Sequence, residues 1–282
     1  MNIERICWNI TNVCNDDCEF CFRDNLSQPL SLESNIKIVN KIIDGGIQHI
    51  AFSGGEPLLY DGIFEIMDLV KRRGVHITLI SNCILLNNIE ILERCLKYID
   101  WLAVPIDSLG VDGIKTRNKE HIKNVKSVLD YLEYFWECNV KINSVVSKIN
   151  YLEISNLYEE IISRYTCIKR WNLFEFTPVR GKAIKNEELY QLSSNENRKV
   201  VEQLNSLLNI RNDLSIRYKH KETILNSYFI ISPNGNVTRQ EGDEQIVIGN
   251  MLSESFTSLV EHIGINYELY KKRVSNKQLI II

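Results

Sequence analysis

The sequence predicts an α/β fold, a partial (βα)6 TIM-like barrel followed by a C-terminal extension. Two observations carry that expectation. Short apolar runs alternate with amphipathic stretches from residue 5 to residue 176, and strands that alternate with helices imply a parallel sheet with right-handed crossovers. Runs such as 77–80 are apolar enough for strands buried on both faces.

Residues 5–10 read as the first strand. Residues 31–44 are amphipathic, with Ile36, Val39, Ile42 and Ile43 at helical spacing; Ser31 is a candidate cap and Gly45-Gly46 a stop. A strand at 49–53 runs into Gly54-Gly55-Glu56-Pro57. A helix over 62–73 ends at Gly74, and an apolar strand over 75–81 is closed by Asn82. Then follow a helix at 90–96, a strand at 101–105, a long helix at 120–136, a strand at 140–146, a helix at 152–163 and a sixth strand at 170–176. Beyond Pro178 the pattern weakens. Helices are expected over 194–208 and 255–272. Pro233-Asn234-Gly235, between 228–232 and 236–238, signals a hairpin. The apolar end, from Leu279 to Ile282, is expected to dock on the body or a partner, because exposed it would aggregate. The barrel core is assigned to residues 1–185 and the extension packed on it to 186–282.

The chain has 282 residues, 44% hydrophobic and 24% charged, as in an ordinary globular protein. A net charge of −3 provides no global basic field, so neither nucleic acid nor a membrane is an expected partner. No secretory signal opens the chain, and no run approaches the roughly 20 apolar residues of a membrane helix. Five of the eight cysteines, Cys7, Cys83, Cys95, Cys138 and Cys167, lie scattered in strand-like or helix-like segments. Thiols sit that way in a reducing compartment. A cytoplasmic protein with no auxiliary metal cluster is expected.

The other three, Cys14, Cys18 and Cys21, are spaced CxxxCxxC just after the first strand. Structural zinc takes four protein ligands, whereas a reactive metal site keeps a position open. Three thiolates on a short loop can hold three corners of a cubane iron–sulfur cluster and leave the fourth iron for an outside ligand. In the 54–57 turn, two glycines let the backbone approach a ligand closely. Glu56 offers a carboxylate to a cationic ammonium, and Pro57 fixes the turn. The cysteine run, this turn, Ser81-Asn82, Asp107 and the region of Asn143 all follow strand ends, where such a barrel carries its chemistry.

CxxxCxxC with Phe20 before the last cysteine, then Ser53-Gly54-Gly55-Glu56-Pro57, resembles the radical S-adenosylmethionine enzymes. The resemblance implies a 4Fe–4S cluster on Cys14, Cys18 and Cys21. It also implies S-adenosylmethionine on the open iron, and one-electron cleavage of its sulfonium to a 5′-deoxyadenosyl radical. It assigns Ser81 and Asn82 to the cofactor ribose, the backbone near Phe20 to the adenine, and Arg117 to the cofactor carboxylate or a phosphate. Asp107 is either a cofactor contact or a turn or helix cap. The implied reductant is a protein such as flavodoxin or ferredoxin.

Further stretches resemble viperin and its prokaryotic relatives, the nucleotide dehydratases of antiviral defence. They are Cys18-Glu19-Phe20-Cys21-Phe22, Ile50-Ala51-Phe52-Ser53, Lys141-Ile142-Asn143-Ser144-Val145, Arg170-Trp171-Asn172-Leu173-Phe174 and Asn226-Ser227-Tyr228-Phe229. The resemblance implies abstraction of the 4′ hydrogen of a ribonucleoside triphosphate and loss of the 3′ hydroxyl as water. The product is a 3′-deoxy-3′,4′-didehydro nucleotide. Lys141, Asn143 and Arg170 would bind the nucleotide, and Tyr228 would supply a hydrogen atom. The chain departs from that family at Ala51 and Pro105, and at His49 and Asn172, where the family has lysines. His49 and Asn172 are candidate substrate contacts with less charge, although a lone histidine at a strand start is more often structural. The alternative is a radical enzyme of another class, cyclising a nucleotide or modifying a peptide.

Overall fold

The computed structural model describes residues 3–23, 27–110, 117, 120–207, 210–224, 227–241, 244–274 and 279–281. Six strands pair in chain order, all parallel: β1 (Arg5–Thr11), β2 (His49–Gly54), β3 (His76–Ile80), β4 (Trp101–Pro105), β5 (Asn139–Val146) and β6 (Ile168–Glu175). Between them run the helices α1 (Leu32–Asp44), α2 (Ile63–Arg72), α3 (Ile89–Leu96), α4 (His121–Phe135) and α5 (Ile154–Leu157), the last continuing as a π turn, Tyr158–Ile162. The α/β partial barrel expected from the sequence is the architecture observed. α1 is capped by Ser31, whose hydroxyl accepts from Ser34 N, and it stops at Gly45.

Alternation along the strands decides which side faces what. In β5, Val140, Ile142 and Val146 pack outward into the core shared with the helices, while Lys141, Asn143 and Val145 face the barrel interior. In β1 and β2, Ile6, Trp8, Ile10, Ile50 and Phe52 lie in that core, leaving Arg5, Cys7, His49 and Ala51 on the inner face. Each such buried side chain contributes about 1.5–3 kcal/mol relative to exposure. A one-residue slip would reverse the two faces of a strand, so the apolar face holds the register.

The C-terminal part extends this sheet at both edges. β7 (Ser215–Lys219) joins β6 in parallel, a strand the sequence reading missed. β8 (Ile230–Ile231) pairs in parallel with β1, then β9 (Asn236–Glu241) and β10 (Glu244–Asn250) follow antiparallel. β11 (Leu279–Ile281) pairs with β7, so the apolar terminus docks on the body. The strand order is β10-β9-β8-β1-β2-β3-β4-β5-β6-β7-β11. The expected hairpin is β8–β9, with Gly235 at φ 83° in its turn. The helix expected over 255–272 is two, Phe256–His262 and Tyr267–Val274. Gly264 separates them at φ 62°, where an added Cβ would collide with the Arg239 guanidinium.

Candidate active site

β1 delivers the chain into a loop carrying Cys14, Cys18 and Cys21, all partly exposed. Neighbouring strand ends clamp that loop. Gly55 N donates to Thr11 O at 2.7 Å and Glu56 N to Val13 O at 2.8 Å. A Cβ at Gly54 or Gly55 would collide with those same two carbonyls. The glycines therefore let the turn approach the cysteine loop closely. Asn82 Nδ2 donates to Asn15 Oδ1 at 2.7 Å and lies 3.8 Å from Cys14 Sγ. Beyond β6, Ala183 N donates to Cys21 O at 3.3 Å, Asn186 Nδ2 to Glu19 O at 2.7 Å, and Lys182 pairs with Asp17 at 2.7 Å.

Glu56 is fully buried. Its Oε2 accepts from Asn82 N at 2.8 Å and its Oε1 from Leu58 N at 3.2 Å. Burial pushes the carboxyl up to about 7, and the two N–H donors pull against that. The sequence reading assigned Glu56 to an ammonium group; here its oxygens tie the 54–57 turn to the end of β3. Ser81 Oγ accepts from Cys83 N at 3.1 Å, holding Cys83 at φ 67°, left-handed for a non-glycine residue.

Asp107 joins three elements. Its Oδ2 accepts from Arg117 Nε at 2.6 Å, its Oδ1 from Val145 N at 2.7 Å, and its carbonyl from Asn150 Nδ2 at 2.7 Å. Burial opposes the Arg117 charge most strongly, but Asp107, Cys18 and Asp16 together outweigh it and hold the guanidinium above its ordinary value. Arg117 Nη1 lies 3.2 Å from Cys18 Sγ, and its guanidinium stands 5.3 Å from the Phe20 ring centre. Phe20 packs with Phe176 and Tyr190 in a small second core. Three of the expected cofactor contacts, Phe20, Asp107 and Arg117, thus form one connected unit ending at Cys18.

Inside the barrel, β5 and β6 set Lys141 beside Arg170 and Asn143 beside Asn172. Asn172 Nδ2 donates to Asn143 Oδ1 at 2.9 Å. Tyr228 Oη accepts from Lys219 Nζ at 3.0 Å. His49 bonds Thr78 Oγ1 at 2.8 Å, and burial, then the Lys141 charge, push its imidazole down to about 3. It is therefore neutral at neutral pH and does not replace a lysine charge. His49 opens β2, at the end of the barrel remote from the cysteine loop. The sequence reading missed Arg217 and Lys219 on β7. The alternation Ser215-Ile216-Arg217-Tyr218-Lys219 was the available signal, but two cations on one face look like a solvated face. Asn226 of the expected tyrosine stretch lies outside the described residues. A surface cleft of about 240 Å³, lined by Leu86, Leu92, Val128 and Tyr131, lies among the outer helices and shares no residue with this site.

Among the described residues, no three His, Cys, Asp or Glu side chains gather closely enough to hold a metal ion. A cubane binds each cysteine through a different iron, so its thiolates stand wider apart than around one ion. The donor set fits a cubane: three thiols on one loop, with N–H groups directed at two of them. Burial pushes the Cys18 thiol up to about 12 against the pull of Arg117, and iron binding would favour the thiolate.

Fold and loop together define a barrel enzyme built around a three-cysteine centre. Residues 8–161 match the family model of the Radical SAM superfamily, more than half of the chain, and the chain belongs to that superfamily. It is an enzyme of the family that binds a 4Fe–4S cluster and S-adenosylmethionine. An S-adenosylmethionine-dependent nucleotide dehydratase of Flammeovirga pacifica is 25% identical over 96% of this chain and 94% of its own length. Another, from Lacinutrix mariniflava, is 25% identical over 83% of this chain, which spans only 50% of that relative. The GTP 3′,8-cyclase of Helicobacter pylori is 29% identical over 67% of this chain and 62% of its own length. The structure of Streptococcus suis SuiB bound to S-adenosylmethionine superposes with a TM-score of 0.72 over 96% of this chain and 68% of SuiB, at 17% identity, a likeness of fold.

Proposed function

We propose that this chain is a nucleotide dehydratase. With cluster and S-adenosylmethionine bound, a 5′-deoxyadenosyl radical would take the 4′ hydrogen of a ribonucleoside triphosphate, which then loses its 3′ hydroxyl as water. The observation that carries the reading is the paired inner row of β5 and β6, Lys141 beside Arg170 and Asn143 beside Asn172, on one face of the barrel. Lysine and arginine suit phosphate by charge and by forked geometry, and asparagine can donate and accept at a sugar hydroxyl. The relative matched over 94% of its own length is named an S-adenosylmethionine-dependent nucleotide dehydratase, which supports the reading.

In this reading Cys14, Cys18 and Cys21 hold the cluster. Gly54, Gly55 and Glu56 fix the turn that carries the cofactor, and Ser81, Asn82 and Phe20 flank its nucleoside. Asp107 orients Arg117 toward its carboxylate. Tyr228, poised by Lys219, returns a hydrogen atom. His49 and Asn172 contact the substrate by hydrogen bonds rather than charge. Residues 1–185 carry the cluster chemistry, and residues 186–282 complete the interior through β7 and β8. A flavodoxin or ferredoxin supplies the electron, in the cytoplasm. No helix among the described residues is long and apolar enough to cross a membrane.

The test is anaerobic incubation of the reconstituted enzyme with S-adenosylmethionine, reductant and each of CTP, GTP, UTP and ATP. Mass spectrometry is expected to find one nucleotide that loses water as 5′-deoxyadenosine accumulates. Formation of 5′-deoxyadenosine that no nucleotide stimulates would refute the reading. An isomerised nucleotide of unchanged mass would assign the site to cyclisation.

A further inference from the structure

Residues 12–23, which carry all three loop cysteines, include no helix or strand. Such a segment keeps one shape only where its surroundings tie it down. The turn after β2 and Asn82 tie the first half, at Thr11, Val13 and Asn15. They do not reach the second half, which holds Cys18 and Cys21. Arg117 apart, that half is met by the chain leaving β6, as two short helices, Gly181–Lys185 and Glu187–Tyr190. This strap is itself fixed at both ends to the chain after β5. Phe176 N donates to Val146 O at 2.8 Å, and Lys148 N to Tyr190 O at 3.0 Å.

The strap grips the loop in two ways. The polar grip is Ala183 N on Cys21 O and Asn186 Nδ2 on Glu19 O, with Lys182 on Asp17. The Asp17 side chain is 78% exposed, so that ion pair contributes little. The apolar grip is buried. Phe20, between Cys18 and Cys21, is 7% exposed, Tyr190 5% and Phe176 2%. The Tyr190 ring meets the Phe20 ring edge-on, with centres 5.9 Å apart and planes at 71°, and it packs against Phe176 at 5.5 Å. An aromatic pair of this geometry stabilises beyond the area it buries. The Phe20 ring is therefore the point at which the strap takes hold of the loop, and Phe20 is one residue from Cys21 and two from Cys18.

We infer that Tyr190, supported by Asn186, is a positioning residue for the cluster. Through the Phe20 ring and the Glu19 carbonyl it holds Cys18 and Cys21 at their corners of the cubane, as the glycine turn holds the Cys14 end. A loop already in place binds a cluster without a further ordering cost. The inference rests on the assignment of the cluster to the three cysteines and is independent of which substrate the enzyme takes.

The test reads the cluster rather than turnover. Tyr190→Leu removes the ring and keeps an apolar side chain, whereas Tyr190→Phe keeps the ring and removes the hydroxyl. After anaerobic reconstitution, iron release to a chelator is expected to be about tenfold faster in Tyr190→Leu and within about twofold of wild type in Tyr190→Phe. The paramagnetic resonance spectrum of the reduced cluster is expected to change in the first variant and match wild type in the second. Val200→Ala, a truncation in the main core, is the control for lost stability alone. It is expected to lower the urea midpoint and leave iron release and spectrum as in wild type. A wild-type spectrum and release rate in Tyr190→Leu would overturn the inference. So would a Tyr190→Phe variant as impaired as Tyr190→Leu, or equally fast release from Val200→Ala. If Tyr190→Leu does not fold, Asn186→Asp carries the test. It loses the donor to Glu19 O and is expected to release iron about threefold faster; a wild-type rate refutes the role. If the wild type takes up no cluster, the cysteine assignment fails by itself. Hydrogen exchange then decides on the strap: faster exchange over residues 17–22 in Tyr190→Leu, but not in Val200→Ala, sustains its hold on the loop, and unchanged exchange removes it.

Discussion

His49 faces the barrel interior at the start of β2, and its surroundings keep it neutral. Burial and the Lys141 charge hold its imidazole at about 3, against 6.5 for a free histidine. The unfolded chain therefore binds this proton first, and stability falls as pH drops from 6.5 toward about 3. His49→Gln keeps a hydrogen-bonding side chain for Thr78 and removes the linkage. Urea titrations are expected to find the variant close to wild type at pH 7 and more stable by on the order of 2 kcal/mol at pH 4. A difference of the same size at both pH values would refute the assignment. The sequence reading recognised the position and left its charge open, because desolvation depends on what surrounds a side chain. Glu56 teaches the same point: its residue type allows an ammonium contact, and only its neighbours in space show that each oxygen also accepts a backbone N–H, from Asn82 and from Leu58.

At the scale of elements, the turn after β2 and the loop after β1 form one unit. Gly55 N and Glu56 N hold the loop through Thr11 O and Val13 O, and a side chain at Gly55 has no room against the Val13 carbonyl. Gly55→Ala is expected to cost about 1–3 kcal/mol in stability, as overpacked sites do, and to lower iron bound per chain after anaerobic reconstitution. Gly46→Ala is the control. Its φ of 92° is strained for alanine, but nothing lies within 4 Å of the added carbon, so iron content is expected to stay at the wild-type level. Equal iron in both variants would separate the turn from the cluster loop. The six alternating strands and their helices were legible in the sequence because each has an apolar face at its own period. β7 was not: Arg217 and Lys219 occupy positions that read as solvated, and only the fold shows them buried beside β6. The break at Gly264 was missed because helical periodicity continues across it.

At the scale of the whole molecule, the residues beyond 185 supply β7 and β11 along one edge of the sheet and β8 to β10 along the other. A fragment of residues 1–185 would leave β1 and β6 with exposed, unpaired edges, which favours association with other chains. That fragment is expected to aggregate, or to lose amide protection in β1 and β6 by hydrogen exchange, while the full chain stays monodisperse. A soluble, cooperatively unfolding fragment would establish that the extension is dispensable for folding.

The sequence by itself determined the α/β alternation, the three-cysteine loop and the glycine turn that follows it. These depend on periodicity and on spacing within single short segments, which residue order specifies directly. Tertiary structure alone decided that the two glycines face the cysteine loop, that Glu56 closes onto Asn82, that His49 is neutral, and that Arg217 stands beside Asn172. Each of these is a matter of distance and desolvation between segments remote in the chain, and the local pattern of a sequence does not encode how far such segments stand apart.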